Sequence, residues 1–393
     1  MVLQIEIDHV NEKNRSVQEL PRKDKPDFVD YQPDLELIEE KAEQYEFENL
    51  VVIGNGGSIT SFRAYLYAFM PEVDKLVHPV TTMDPDYLNR ISKNLDPENT
   101  LVMPISKSGE TVGVIESLMY FIKRGYDVFG VTSDNDGALK QILDRNDYGW
   151  IEHPDIGGRF AGLTETALVP AAFAGIEIGE IRRGGEEMYD LLSPKKQYNP
   201  ALNMASALYD AEKNGFENVF APFYSSRMFG YMPLFIQLMH ETVCKDGKGQ
   251  MVSGDHAPEY QHHTNQRIFG GKQNVLPVFF RTDTHEREEI DIPSNLQDLD
   301  IRGNQLSDLD NLSHQEALKS EYKGVKDALD EKDHPNITIN LTELSHESAG
   351  KMVAFLQYVA IYSAWLRDVD PFTQPDVERS KKLGFEQRFK GDY

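Results

Sequence analysis

NLVVIGNGGSITSFRAYLYAF, residues 49–69, is the stretch on which the fold reading turns. The apolar run at 50–53 breaks into the loop GNGGS, and a periodic apolar stretch begins directly after it. That is the pattern of a strand, a loop and a helix. Glycines let backbone N–H groups approach a ligand at a helix N-terminus, so the loop is a candidate phosphate cradle as well as a candidate tight turn. Two nucleotide-binding readings fit less well. Ile59 stands where G-x-G-x-x-G needs its third glycine, and Asp74 precedes the next apolar run, LVHPVTT, instead of ending it. No Lys-Ser or Lys-Thr pair follows the glycines, as a P-loop requires.

Working outward, the pattern repeats: apolar TLVMPI, polar SKSGET at 106–111, the helical stretch VGVIESLMYFIKRG, then DVFGVTSD, a buried-strand signature with a polar end. Strands alternating with helices of this length predict a parallel sheet in an α/β arrangement. Ligands of open parallel sheets bind at the carboxyl ends of strands, where GNGGS and SKSGET both fall. After the turn-rich LLSPKKQYNP the alternation resumes. ENVFAPFY, QNVLPVFFR and NITINLTEL read as strands, and PLFIQLMHET and HESAGKMVAFLQYVAIYSAWL as helices. Two α/β units are expected, residues 1–195 and 196–393, with 282–333 a polar excursion from the second that has helical periodicity near 316–329.

The 393 residues carry 40 Lys and Arg against 65 Asp and Glu, a net charge of −25. Such a field repels nucleic acid and anionic membranes, so neither is an expected partner. It also repels anionic substrates, so a phosphate site must gather its own donors. The single cysteine, Cys244, excludes an internal disulfide framework and a multi-cysteine zinc site. MVLQIEIDHVNEKNR lacks the basic start and apolar stretch of a secretion signal, and no apolar run reaches the ~18 residues of a membrane span. A cytoplasmic protein is the expectation.

Several clusters carry chemistry. Ser106, Lys107, Ser108 and Thr111 supply three hydroxyls and an ammonium before a helix. Each hydroxyl alone reads as a helix cap. Together, and with Ser58 and the amides of Gly56 and Gly57, they form a cradle for a phosphate monoester. Gln237 and Glu241, spaced i, i+4, share one face of an otherwise apolar helix, which makes Glu241 a candidate general base. His262 and His263 are adjacent, with His256 nearby. No carboxylate or histidine completes an i, i+4 metal pair with them, so acid/base work or surface polarity is the better reading. Arg159 follows two glycines and suits an oxyanion or a salt bridge. In DPFTQPDVERSKK, Thr373 and Asp376 resemble a capping box, Pro375 suits a first turn, and Gln374 and Lys381 fall on one helix face. Cys244 reads as packing.

Taken in order, these motifs resemble the glucose-6-phosphate isomerase family, also called phosphoglucose isomerase, of the sugar-isomerase (SIS) superfamily. GNGGS, ISKSGET, IGGRF, QLMHETVCKDGKG, QHHTNQRIFGG and DPFTQPDVERSK match six ordered family segments between about residues 49 and 382. The resemblance implies two doubly wound, flavodoxin-like sugar-isomerase domains, a hexose 6-phosphate substrate, no metal or organic cofactor, and a homodimer with a shared site. It further implies that Ser58, Ser106, Lys107, Ser108 and Thr111 hold the phosphate, with Gln374 nearby. Glu241 would move the proton between C2 and C1, Arg159 would stabilise the enediolate, and Gln237 would support the site. His262, from the neighbouring subunit, and Lys381 would open the ring, with Lys382 as the alternative to Lys381. The chain departs from the family pattern at Asn55, Glu110, Asp376 and at 242–244. Glu110 brings a negative charge into the phosphate loop. Rival readings are an isomerase of mannose or amino-sugar phosphates, a non-catalytic sugar-phosphate sensor and a dehydrogenase. The absence of a basic DNA-binding module weighs against the sensor, and Ile59 against the dehydrogenase.

Overall fold

All seven residues of Thr100–Ser106 are buried, as a strand covered on both faces requires. The computed structural model of the chain describes residues 2–10, 15, 16, 20, 24–193 and 199–390. In chain order its strands are β1 (Leu3–Asp8), β2 (Asn49–Ile53), β3 (Leu76–Val80), β4 (Thr100–Ser106), β5 (Asp127–Thr132), β6 (Gly149–Glu152), β7 (Asn218–Phe223), β8 (Met251–His256), β9 (Val275–Thr282), β10 (Asp300–Ile301), β11 (Asn304–Gln305) and β12 (Asn336–Leu341).

One sheet has the order β3-β2-β4-β5-β6 and is parallel throughout. The order reverses between β2 and β4, which pair from Asn49↔Thr100 to Ile53↔Pro104. Their carboxyl ends, GNGGS and SKSGET, therefore sit side by side at the switch point of a doubly wound sheet, as the alternation of strand and helix predicts. The second sheet, β1-β12-β9-β7-β8, repeats this order, and its fifth place is taken by β1, antiparallel to β12 from Leu3↔Leu341 to Asp8↔Asn336. Residues 3–8 thus lie in the sheet built mainly from the second half. The 195/196 division falls within 194–198, outside the described residues.

The helix His346–Leu366 is apolar on all sides and buried over nearly its whole length. It packs against Ile178–Leu192, Pro200–Lys213 and Tyr231–Val243, so one core joins both sheets. Ser345 starts it through a capping box with Ser348. Among the described residues no helix is long and apolar enough to cross a membrane. The excursion after β9 holds the small β10–β11 hairpin and the helix His314–Asp330, the latter where the periodicity near 316–329 predicts it.

Candidate active site

The loop after β2 and the segment carrying Arg159 touch through glycine. A Cβ on Gly57 would stand 2.2 Å from the carbonyl carbon of Gly158 and 2.4 Å from the Arg159 nitrogen, so no side chain fits there. This approach sets Ser58 beside Arg159 at the mouth of the sheet. The two residues line one cavity of about 680 Å³, together with Asn55, Gly56, Gly57, Lys107, Ser108, Thr111, Gln237, Glu241, Gln374 and Lys381. That volume is in the range that accepts a small metabolite.

Of the site residues named from the sequence, all but Ser106 and His262 line this cavity. Ser106 is buried behind it and shares a 2.8 Å hydrogen bond between its hydroxyl and that of Thr111, so it supports the loop from below. His262 ends a short 3-10 helix, Glu259–His262, is exposed, and is not on the wall. Lys381 is on the wall and Lys382 is not.

The electrostatic centre is Arg159, only 3% exposed. Its Nη1 donates to Glu241 Oε2 at 3.3 Å and to Gln374 Oε1 at 2.6 Å, and its Nη2 donates to the carbonyls of Pro371 at 2.6 Å and Thr373 at 3.3 Å. Burial pulls its pKa below the ordinary arginine value, and Glu241 opposes that pull. The other carboxylate oxygen, Glu241 Oε1, accepts from Gln237 Nε2 at 3.1 Å, and Gln237 Oε1 accepts from the Thr60 hydroxyl at 2.9 Å. The helix Tyr231–Val243 thus presents a glutamate whose two oxygens are each held by a donor. Behind it, Lys245 donates to the carbonyls of Thr242 and Asp370, both at 2.7 Å, and burial, then Arg159, lowers its pKa to about 8.

The loop 106–111 is held by its neighbour at 133–139. Asn135 Nδ2 donates to the carbonyls of Lys107 and Ser108, its Oδ1 accepts from Gly137 N at 2.8 Å, and Leu139 N donates to Gly109 O at 3.0 Å. Gly137 permits the approach, since a Cβ there would lie 2.4 Å from Ser108 O. Glu110 turns away from the cavity: its Oε1 accepts from Ala138 N at 2.9 Å, at the start of the helix Ala138–Arg145. Its charge is spent on a helix N-terminus.

Sequence reasoning missed Ser133, Asn135, Glu152, His153 and Asp155 on the wall. The polar end of DVFGVTSD was the available signal, because β5 adjoins β4 and its carboxyl end opens at the same edge. His153 is buried. Its Nδ1 donates to Pro154 O at 2.8 Å, which leaves Nε2 to accept from the Thr166 hydroxyl at 3.0 Å, and burial lowers its pKa to about 4. The capping box expected from Thr373 and Asp376 is not formed. Gln374 is the N-cap of Pro375–Gln387 without a side-chain bond, because its amide oxygen is taken by Arg159. Pro375 does open the helix. No group of three or more metal-ligating side chains is found among the described residues.

Paired sheets of this order, with polar carboxyl-end loops converging on a glutamate and an arginine, define an α/β protein of the sugar-isomerase fold. No protein-family model matches the chain. A crystal structure of a hypothetical protein from Thermus thermophilus superposes with a TM-score of 0.84 at 25% identity, over 93% of this chain and 89% of that one. A glucose-6-phosphate isomerase from Chlamydia trachomatis shares the fold with a TM-score of 0.73 at 22% identity, over 89% and 72% of the two chains. In sequence, a probable glucose-6-phosphate isomerase of Haloarcula marismortui is 27% identical over 346 residues, 85% of this chain and 76% of the relative. Further relatives, 26–29% identical, carry the name glucose-6-phosphate isomerase. Over most of its length the chain is thus similar to proteins named glucose-6-phosphate isomerase.

Proposed function

We propose that the chain interconverts glucose 6-phosphate and fructose 6-phosphate. One observation carries the reading: Glu241 and Arg159 share a wall of the cavity that also exposes Ser58, Lys107, Ser108 and Thr111. A proton alpha to a carbonyl is weakly acidic, so its removal needs a positioned base and a fixed cation near the developing oxyanion. In this reading the phosphate ester rests on Ser58 and the 106–111 loop, with Gln374 nearby. Glu241 takes the C2 proton of the open-chain aldose and returns it to C1, while Arg159 faces the enediolate oxygens. Its buried Nε has no hydrogen-bond partner among the described residues. Gln237 keeps Glu241 in place, and Lys381 assists ring opening. The sequence proceeds without a metal.

His262 is assigned to a neighbouring copy's cavity in a homodimer, and the cytoplasm is the proposed compartment. We read 1–195 and 196–393 as the two domains, with β1 reaching back to the second sheet. The test is a coupled assay of purified protein with fructose 6-phosphate, with mannose 6-phosphate in parallel. Formation of glucose 6-phosphate that persists with chelator is expected. Binding of fructose 6-phosphate without turnover defeats the reading in favour of a sensor, and turnover of mannose 6-phosphate alone reassigns the substrate.

A further inference from the structure

Each cation on the cavity wall is already engaged by a carboxylate: Arg159 by Glu241 at 3.3 Å, Lys381 by Glu378 at 2.9 Å and Lys107 by Asp155 at 2.6 Å. The three pairs differ in what would release them. Arg159 is buried and tied to 371–374 by further hydrogen bonds, so its pairing belongs to the architecture. Lys381 and Glu378 are three apart on one exposed helix, so their pairing is local to that helix. Lys107 lies in that loop, and its partner Asp155 comes from a different segment, four residues before Arg159.

The Asp155 side chain is fully exposed, and its carboxylate pairs with Lys107. Both residues line the cavity. The hydrogen bond from Lys107 holds the Asp155 carboxyl below the usual carboxylate range, so it is charged throughout the neutral range. An exposed ion pair is weak and exchangeable. A phosphate dianion offers the ammonium more charge and more acceptor oxygens than one carboxylate does.

From this arrangement, and resting on the reading of 106–111 as the phosphate loop, we propose that Asp155 is a displaceable counter-ion. It occupies the ammonium of Lys107 until a phosphate ester takes its place. The exchange has one consequence. It weakens the apparent affinity for every anion that must displace the carboxylate, by the fraction of Lys107 left unpaired. Asp155 is thereby a residue that sets the affinity of the 106–111 loop for phosphate.

The experiment measures KM for fructose 6-phosphate, and Kd for inorganic phosphate by calorimetry, in wild type, Asp155→Asn, Lys107→Met and the double variant. Thermal melts confirm that each is folded. Asp155→Asn is expected to lower KM and phosphate Kd by about two- to fivefold, the scale of an exposed ion pair. In the Lys107→Met background the same change should yield less than half that gain on a logarithmic scale. An unchanged or raised phosphate Kd in Asp155→Asn overturns the proposal and makes Asp155 a support for Lys107. An equal gain in both backgrounds also overturns it, in favour of simple long-range repulsion, as does a wild type that binds no phosphate. The expected phosphate shifts in a protein that converts no sugar phosphate would leave the exchange standing and remove the isomerase reading. Conversion without those shifts would do the reverse.

Discussion

Arg159 and Glu241, 82 positions apart in the chain, meet at 3.3 Å between Nη1 and Oε2. Arg159 comes from the segment after β6, and Glu241 from the helix after β7, so the pair bridges the two sheets. The same guanidinium fixes the carbonyls of Pro371 and Thr373, which carry the final helix to the cavity. One buried side chain therefore ties three distant stretches into one wall.

If Glu241 is the base, Glu241→Gln keeps the side-chain shape and one of the two hydrogen bonds accepted from Arg159 and Gln237, and removes the proton acceptor. Turnover should fall about 10²–10⁴-fold or more, with KM and the melting temperature little changed. A variant retaining a tenth of the wild-type kcat in the coupled assay would refute the assignment.

Arg159→Lys keeps a charge and loses the planar fork that reaches Glu241, Gln374 and two carbonyls together. We expect kcat to drop about 10²-fold or more, and KM to change less, as for loss of a fixed oxyanion donor. Steady-state kinetics decide it: a change confined to KM would place Arg159 in ground-state binding only.

Gly57→Ala forces a methyl into the Gly158 backbone. It should cost about 1–3 kcal/mol in chemical denaturation and raise KM, since the displaced loop carries Ser58. Gly324→Ala, in the helix His314–Asp330 with open space around it, should instead stabilise by about 0.5–1 kcal/mol. Equal effects at the two positions would contradict the contact.

His153 is held neutral by burial, with a pKa lowered to about 4 from the ordinary 6.5. Between these values the unfolded chain binds the extra proton, so the stability due to neutral His153 is complete above about pH 6.5 and is lost as pH falls toward 4. The loss by pH 5 is about 2 kcal/mol. His153→Gln can still donate to Pro154 O and accept from Thr166, so denaturation at pH 7 and pH 5 should show a smaller pH penalty in the variant by about that amount. Parallel losses in the two proteins would show that His153 is not the group responsible.

Much of the fold was legible because local chemistry repeats it. Apolar runs covered on both faces, such as 50–53 and 100–106, announce central strands, and a glycine or hydroxyl-rich break after each marks the binding edge. Edge strands were not legible. Neither β1 nor β8 was read as a strand, because strands exposed on one side lack a continuous apolar run, and the antiparallel pairing of β1 spans more than 300 residues of sequence. At the site, Ser58, Lys107, Arg159 and Glu241 were named from motif chemistry, whereas Asn135, His153 and Asp155 were not. Their roles consist of bonds to other loops, and nothing in their immediate neighbours in sequence encodes those bonds.

Amino-acid order alone established the α/β alternation, the two glycine and hydroxyl-rich loops, and the candidate base and cation, because these follow from periodicity and side-chain type within a few residues. Folding in three dimensions decided which of them share a cavity, that Glu110 caps a helix while Asp155 occupies Lys107, and that Arg159 binds the final helix. Those outcomes depend on distance and burial between segments far apart in the chain, and such proximity exists only once the sheets and their connecting helices have packed.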